Sequence, residues 1–366
     1  MDKGLKGLTG EEVSGKKVIE GIERIHWEKT SSLCFVGATA ACMHYLGEPV
    51  SNDYVMGISG GAFKLFWHPA WAPSNCDLLM YGEEPIRRTF NSLGYGYQYI
   101  MREGREKPDV DVTGTRAQFA PLIVASIDAG IPVIAQGIVG PPECSVVAGY
   151  ERRGEVLYGR SYFQEDPEAY FRAENWSCFG VILIGAKQEK PSPRQVLMNT
   201  LEWAIKLTRE PSFEGMPASA KYTRRHISGL AAYDAIAAAL ERDDEYPADN
   251  VEILAFRCTA LSNDGLWLLT DKRRAAASFT NSMAEQGFTG AEELRQAAGE
   301  YEQETVLLHQ AAEKTPGSWM PADEVRKIAN PTLRRDLARW LREAKAYEAR
   351  AVSHLERAFE QLKAAE

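Results

Sequence analysis

At Gly130 the spacing of apolar residues changes, and that change limits the folds open to the chain. Before it, SSLCFVGATAACMHYLG sets Phe35, Ala38, Cys42 and Leu46 at helical spacing, with Ser31 or Ser32 as cap and Gly47 as stop. A second helix starts near Glu84-Pro85 and stops at Gly94, and a third covers roughly 119–129. After Gly130 come short β-branched or aromatic runs at 132–138, 144–150, 155–160 and 179–184, with Arg152, Arg153 and Gly154 as a hairpin turn. Helices first and an antiparallel sheet later predict an α+β domain over residues 1–187.

A charged, proline-bearing stretch, KQEKPSP (187–193), reads as a linker, and residues 194–366 read as an all-helical second domain. Thr289 and Glu292 are spaced as a capping box ahead of Leu294. Asn330-Pro331 opens a last helix whose Leu337, Leu341, Leu355 and Phe359 hold one face. The 366 residues suffice for two cores. A net charge of -9 argues against nucleic acid as a partner, and the helical domain is the surface through which chains could associate. The most apolar stretch, 121–140, is broken by Asp128, Gly130 and Pro132, so no membrane span is expected. The first residues lack a signal peptide's apolar core, which makes the cytoplasm the expected compartment.

Six cysteines stand at 34, 42, 76, 144, 178 and 258 with no C-x-x-C pair, so no structural metal and no cofactor are expected. Cys42, Cys178 and Cys258 read as small buried hydrophobes. Cys34 differs, because a thiol in the first turn of a helix meets unpaired N–H groups that favour the thiolate. GISGGAF (57–63) follows, and its Gly60 and Gly61 allow close backbone approach. Trp71, Asn75, Cys76 and, later, Ser161 are candidates for the wall of a substrate site.

The order of Cys-helix, glycine-rich loop, helix, A-G-I-P-V-I strand, V-V-A-G-Y strand and hairpin resembles C39-type cysteine-peptidase-like domains. In particular it resembles the N-terminal domain of the butirosin biosynthesis protein H group, and GLAAYDAIAAAL (229–240), FRCTA and AAASF are similar to that group's helical domain. The resemblance implies a papain-like fold, a cysteine nucleophile at Cys34, and peptide cleavage or acyl transfer. In that pattern a histidine precedes the V-V-x-G-Y strand as general base. Here Glu143 and Cys144 occupy the place, and no histidine occurs between 69 and 225. A Glu143 raised by burial could serve as base, but its charge repels a thiolate.

Two functions follow as expectations. One is a cysteine-dependent amide hydrolase or acyltransferase acting on a small, metabolite-derived or acyl substrate, with Cys34, Glu143 and Cys144 as its catalytic set. The other is a catalytically degenerate peptidase-like protein whose cleft binds a ligand or partner. A third reading is a soft-metal or redox site built from Cys34, Cys76, Cys144 and Glu143. An acidic carrier protein fits this acidic chain poorly. His44, ten residues along the helix from Cys34, lies about 15 Å from it and is excluded as its base; His68 and His226 are the remaining candidates, against the plainer reading of each as a surface or hydrogen-bonded histidine.

Overall fold

The computed structural model describes residues 15–27, 32–73, 75–76, 78–102, 112–141, 143–215 and 225–365. The chain forms two compact units, the first from Met1–Thr30, Cys34–Val50 and Tyr95–Gln188, the second from Ser31–Leu33, Ser51–Gly94 and Glu189–Glu366. Segment 51–94, placed by sequence in the N-terminal domain, thus groups with the C-terminal half.

The first unit is α+β. Its antiparallel sheet runs Tyr95–Met101, Gly180–Lys187, Val133–Gln136, Cys144–Glu151, Val156–Arg160, Phe171–Ala173, with Lys17–Val18 paired to the end of Cys144–Glu151. Helices Cys34–Tyr45 and Val112–Asp128 pack on Cys144–Glu151. That strand's first six residues are buried, which explains its continuous CSVVAG run rather than an alternating one. Gln136 pairs with Cys144 on one side and with Gly180 on the other, fixing the register at the sheet end beside Cys34. The turn after Glu151 holds Arg152, Arg153 and Gly154 at φ of 52°, 56° and 93°. At Gly154 a Cβ would meet that of Ala120 at 2.9 Å, so glycine is needed for both reasons.

The helix expected at 119–129 begins earlier, at Val112, and Gly130 ends it in the left-handed region. Gly47 follows Cys34–Tyr45 in the same way, its N–H reaching the His44 carbonyl at 3.0 Å. Ser32 does not behave as the expected cap. Its N–H and hydroxyl donate to Asp271 at 3.0 and 2.6 Å, both residues lying in the second unit. Ser31 lies outside the described residues.

The second unit is mostly helical but not wholly so. Phe66–Trp67, Arg225–Ser228 and Ser212–Glu214 form a three-stranded antiparallel sheet, which corrects the all-helical expectation for 194–366. Strands of two to four residues are too short to show alternation, so sequence periodicity could not find them. Helices Gly229–Leu240, Leu268–Ala284, Ala291–Lys314 and Pro331–Ala364 form the packed body. Along the last, Leu337, Leu341, Leu355 and Leu362 are fully buried, each worth about 1.5–3 kcal/mol of transfer free energy. Asn330 caps it by accepting the Thr332 N–H, as its sequence predicts.

The capping box does not form: Ala291–Lys314 starts at Gly290, at φ 91°, without a side-chain cap. Glu292 instead binds Gln296 and Arg295. A stretch of π-type turns, Thr259–Trp267, interrupts the helical run ahead of Leu268 and places Asp264 inward. No helix among the described residues is long and apolar enough to cross a membrane.

Candidate functional site

Cys34 is the first residue of its helix and 6% exposed, while Cys144 opens the central strand and is 2% exposed. The Cys144 N–H donates to the Cys34 sulfur at 3.1 Å, so the register read from V-V-A-G-Y brings these residues together. Glu143, half-buried, precedes the strand and is held by its backbone: its N–H reaches Pro141 and its carbonyl accepts from Gly137.

The electrostatics of the pair oppose ionisation. The Cys34 thiol is held well above its ordinary range, first by a side-chain hydrogen bond with Cys144, then by burial, then by electrostatic repulsion from Cys144 and Glu143. The Cys144 N–H acts the other way, favouring the thiolate, and does not prevail. The thiol is therefore neutral at pH 7. Cys178, read from sequence as inert, lies close enough to Cys144 for their charges to interact, and burial first of all pushes its thiol up to about 12. It was missed because proximity comes from pairing: Gly180, two residues on, lies across Gln136 from Cys144. No spacing rule contains that. Gln136 was missed likewise; it is buried, and its Oε1 accepts the Tyr99 hydroxyl at 3.1 Å.

The other candidates have structural duties. Ser161 is buried in a turn, its N–H donating to Gln164 and its hydroxyl accepting from Phe163. Gly60, Gly61, Trp71, Asn75 and Cys76 belong to the second unit. Gly60 ends the Asn52–Ser59 helix at φ 85°, and a Cβ there would overlap the Trp203 ring at 2.3 Å. At Gly61 a Cβ would meet Leu33 at 2.9 Å. Trp71 is a core residue, edge-on to Trp67 with centroids 4.8 Å apart, and its indole N–H donates to Glu245. Asn75 acts as a strand substitute, accepting the Phe66 N–H and donating to the Phe66 carbonyl, both at 2.9 Å.

Cys76 is half-buried, and its N–H donates to Asp264 at 2.7 Å; Asp264 also takes the Asn75 N–H. Lys272 donates to the Asn75 carbonyl at 2.9 Å. Burial, then the neighbouring Lys64, depress the Lys272 pKa well below its ordinary value, with Asp264 opposing. This loop is thus pinned from three directions.

Three of the histidines have partners of their own. His44 is engaged at both ring nitrogens, by Glu23 at 2.8 Å and the Val50 carbonyl at 3.0 Å. His68 and His226 are buried in the second unit, ring against ring at 5.1 Å, and His68 Nδ1 accepts the Ala70 N–H. Among the described residues no cluster of three or more His, Cys, Asp or Glu could hold a metal ion, and Cys76 falls in a different unit from Cys34, Cys144 and Glu143. A cavity of about 380 Å³ in the first unit is lined by Val18, Ile22, Tyr158, Arg160 and Tyr170 among others; Cys34, Glu143 and Cys144 are not part of its wall.

Compared with models of protein families and with curated proteins, the chain matches none.

Proposed function

We propose that the first unit is a papain-like module that has lost hydrolytic chemistry and binds a small, metabolite-derived ligand or a partner. The observation that carries this reading is the state of Cys34. Its neighbours are a second thiol and a carboxylate, both of which raise its pKa, where a nucleophile needs a base or a cation. Glu143 or Cys144 takes the place a histidine holds in C39-type enzymes, and Glu143 as a base works against the thiolate it would create. The resemblance in element order supports the papain-like assignment.

Acyl transfer through Cys34 is the second reading. It is favoured by the position of Cys34 at a helix start and by the Cys144 N–H aimed at its sulfur, both of which stabilise a thiolate. Alkylation by iodoacetamide against pH, with the modified site mapped and Cys34→Ser as control, separates the two. The binding reading expects Cys34 in the native protein to label no faster at pH 6 than an ordinary thiol. Rapid labelling at pH 6, absent from Cys34→Ser, overturns it and restores the acyltransferase.

A further inference from the structure

We infer that Cys34 and Cys144 are an oxidisable pair, which hydrogen peroxide converts into an intramolecular disulfide joining the start of the Cys34–Tyr45 helix to the start of the central strand. The geometry is within reach. A sulfur 3.1 Å from the Cys144 nitrogen holds the two Cα atoms within about 7.4 Å, so a shift of about 0.6 Å at most brings them inside the span a disulfide bridges. The two residues are 110 apart in sequence, so the packing of helix on sheet, not the chain, creates the proximity.

Among the other buried thiols, Cys178 also lies near Cys144 but is engaged elsewhere. Burial alone raises Cys42 and Cys258, and Cys178 donates its S–H to the Gly180 carbonyl at 3.2 Å. The small residual exposure of Cys34 suits a small oxidant. In the first step the Cys34 thiolate attacks one peroxide oxygen, the O–O bond breaks, and hydroxide leaves, giving a sulfenic acid. In the second the Cys144 thiolate attacks that sulfur; the S–S bond forms, the S–O bond breaks, and water carries away the oxygen. Overall two thiols and one peroxide give one disulfide and two waters. Glu143 and Cys144 disfavour the attacking thiolate, so the reaction is slow at neutral pH and accelerates as base increases. The inference goes beyond the binding proposal and does not depend on it.

The test uses the full chain, treated with hydrogen peroxide at pH 7 and pH 9 and then denatured for thiol counting and disulfide mapping. The native count of six free thiols should fall to four, with a Cys34–Cys144 linked peptide that dithiothreitol releases. Because the thiolate fraction grows about tenfold per pH unit below the pKa, the pH 9 rate should exceed the pH 7 rate by up to about a hundredfold. Cys178→Ala should leave the link intact, and Cys144→Ala should leave a Cys34 sulfenic acid that dimedone traps. Should Cys144→Ala fail to fold, the linkage map of the unmodified chain still decides. Six thiols persisting, a link between any other pair, or direct passage of Cys34 to sulfinic acid without a disulfide would overturn the inference. Slow alkylation with disulfide formation keeps both proposals, and rapid alkylation at pH 6 defeats only the binding reading.

Discussion

Around Cys34 the first unit buries the thiols of Cys34, Cys144 and Cys178 and the amide of Gln136, with the Arg102 guanidinium near Cys178, whereas the second unit buries ions against one another. There Arg273, on Leu268–Ala284, lies 2.5 Å from Glu348 and 3.4 Å from Glu304, all fully buried. The Tyr233 hydroxyl donates to Glu304, Thr208 donates to Glu348 at 3.3 Å, and Arg273 also donates to the Ala62 carbonyl at 2.7 Å. One guanidinium thus faces two carboxyl groups. Burial, then Glu348, raise the Glu304 pKa well above the carboxylate range, so a proton on Glu304 settles the imbalance. Although burial opposes its charge, Glu348, Tyr233 and Glu304 hold Arg273 protonated. The contrast is energetic: a neutral buried group can be exchanged for another of its shape, while a buried ion requires every partner to stay.

The largest effect should therefore come from Arg273→Met. It strands the Glu348 and Glu304 carboxyls without their cation and should cost about 3–5 kcal/mol in denaturant unfolding. Glu304→Gln, which keeps a neutral group of the same shape, should cost far less. If the two variants lose equal stability, the shared-proton account is wrong.

The same cluster sets a pH dependence whose signs oppose those at Lys272. For Glu304 the folded pKa lies above the unfolded value near 4.5, so its contribution is intact below that pH and is lost as pH rises toward the folded pKa. For Lys272 the folded pKa lies below 10.5, so the unfolded chain binds the extra proton and stability rises with pH across the window ending near 10.5. Each slope is about 1.4 kcal/mol per pH unit within its window. Unfolding free energies measured from pH 4 to 10 should lose the falling limb in Glu304→Gln and the rising limb in Lys272→Met. A Glu304→Gln profile parallel to that of the unmodified protein would remove Glu304 from the account.

Asn75→Ala tests polar burial without charge. The substitution leaves the Phe66 N–H and carbonyl without the side chain that pairs them and should cost about 1–3 kcal/mol. Asn75→Asp keeps the acceptor but sets a carboxylate oxygen against the Phe66 carbonyl, beside Asp264, and should cost at least as much. A thermal shift near zero for Asn75→Ala would mean water replaces the amide.

How far the sequence carried this description depended on whether a feature is periodic or local. The Cys34 helix, its Gly47 stop, the hairpin at Arg152 to Gly154 and the Asn330 cap were legible, because each rests on a short-range rule of backbone geometry. The contact of Cys34 with Cys144 was legible through register, since one strand start follows from the next. Cys178 was not, and neither was the assignment of Gly60, Trp71 and Asn75 to packing in the second unit. Those depend on which segment a loop returns to, and residues 51–94 carry no local sign of grouping with residues beyond 189. The Arg273, Glu304 and Glu348 cluster was invisible for a related reason: charged residues on an amphipathic helix read as solvated until a partner helix covers them.

The smallest effect should be Cys34→Ser, and its smallness is the sharpest form of the comparison. The serine hydroxyl can accept the same Cys144 N–H that Cys34 accepts, and it replaces a neutral group by a neutral group. Stability should change by about 1 kcal/mol or less, within the range of a single exchanged hydrogen bond. Cys42, two turns further along the same helix, is fully buried and is raised by burial alone. Burying a hydroxyl in place of that thiol should cost about 1–3 kcal/mol in Cys42→Ser. Urea midpoints of the two variants, measured side by side at pH 7, give the difference directly. Should Cys34→Ser prove the more damaging, the Cys34 sulfur is bearing charge in the folded state, and the view of Cys34 as a neutral buried thiol fails.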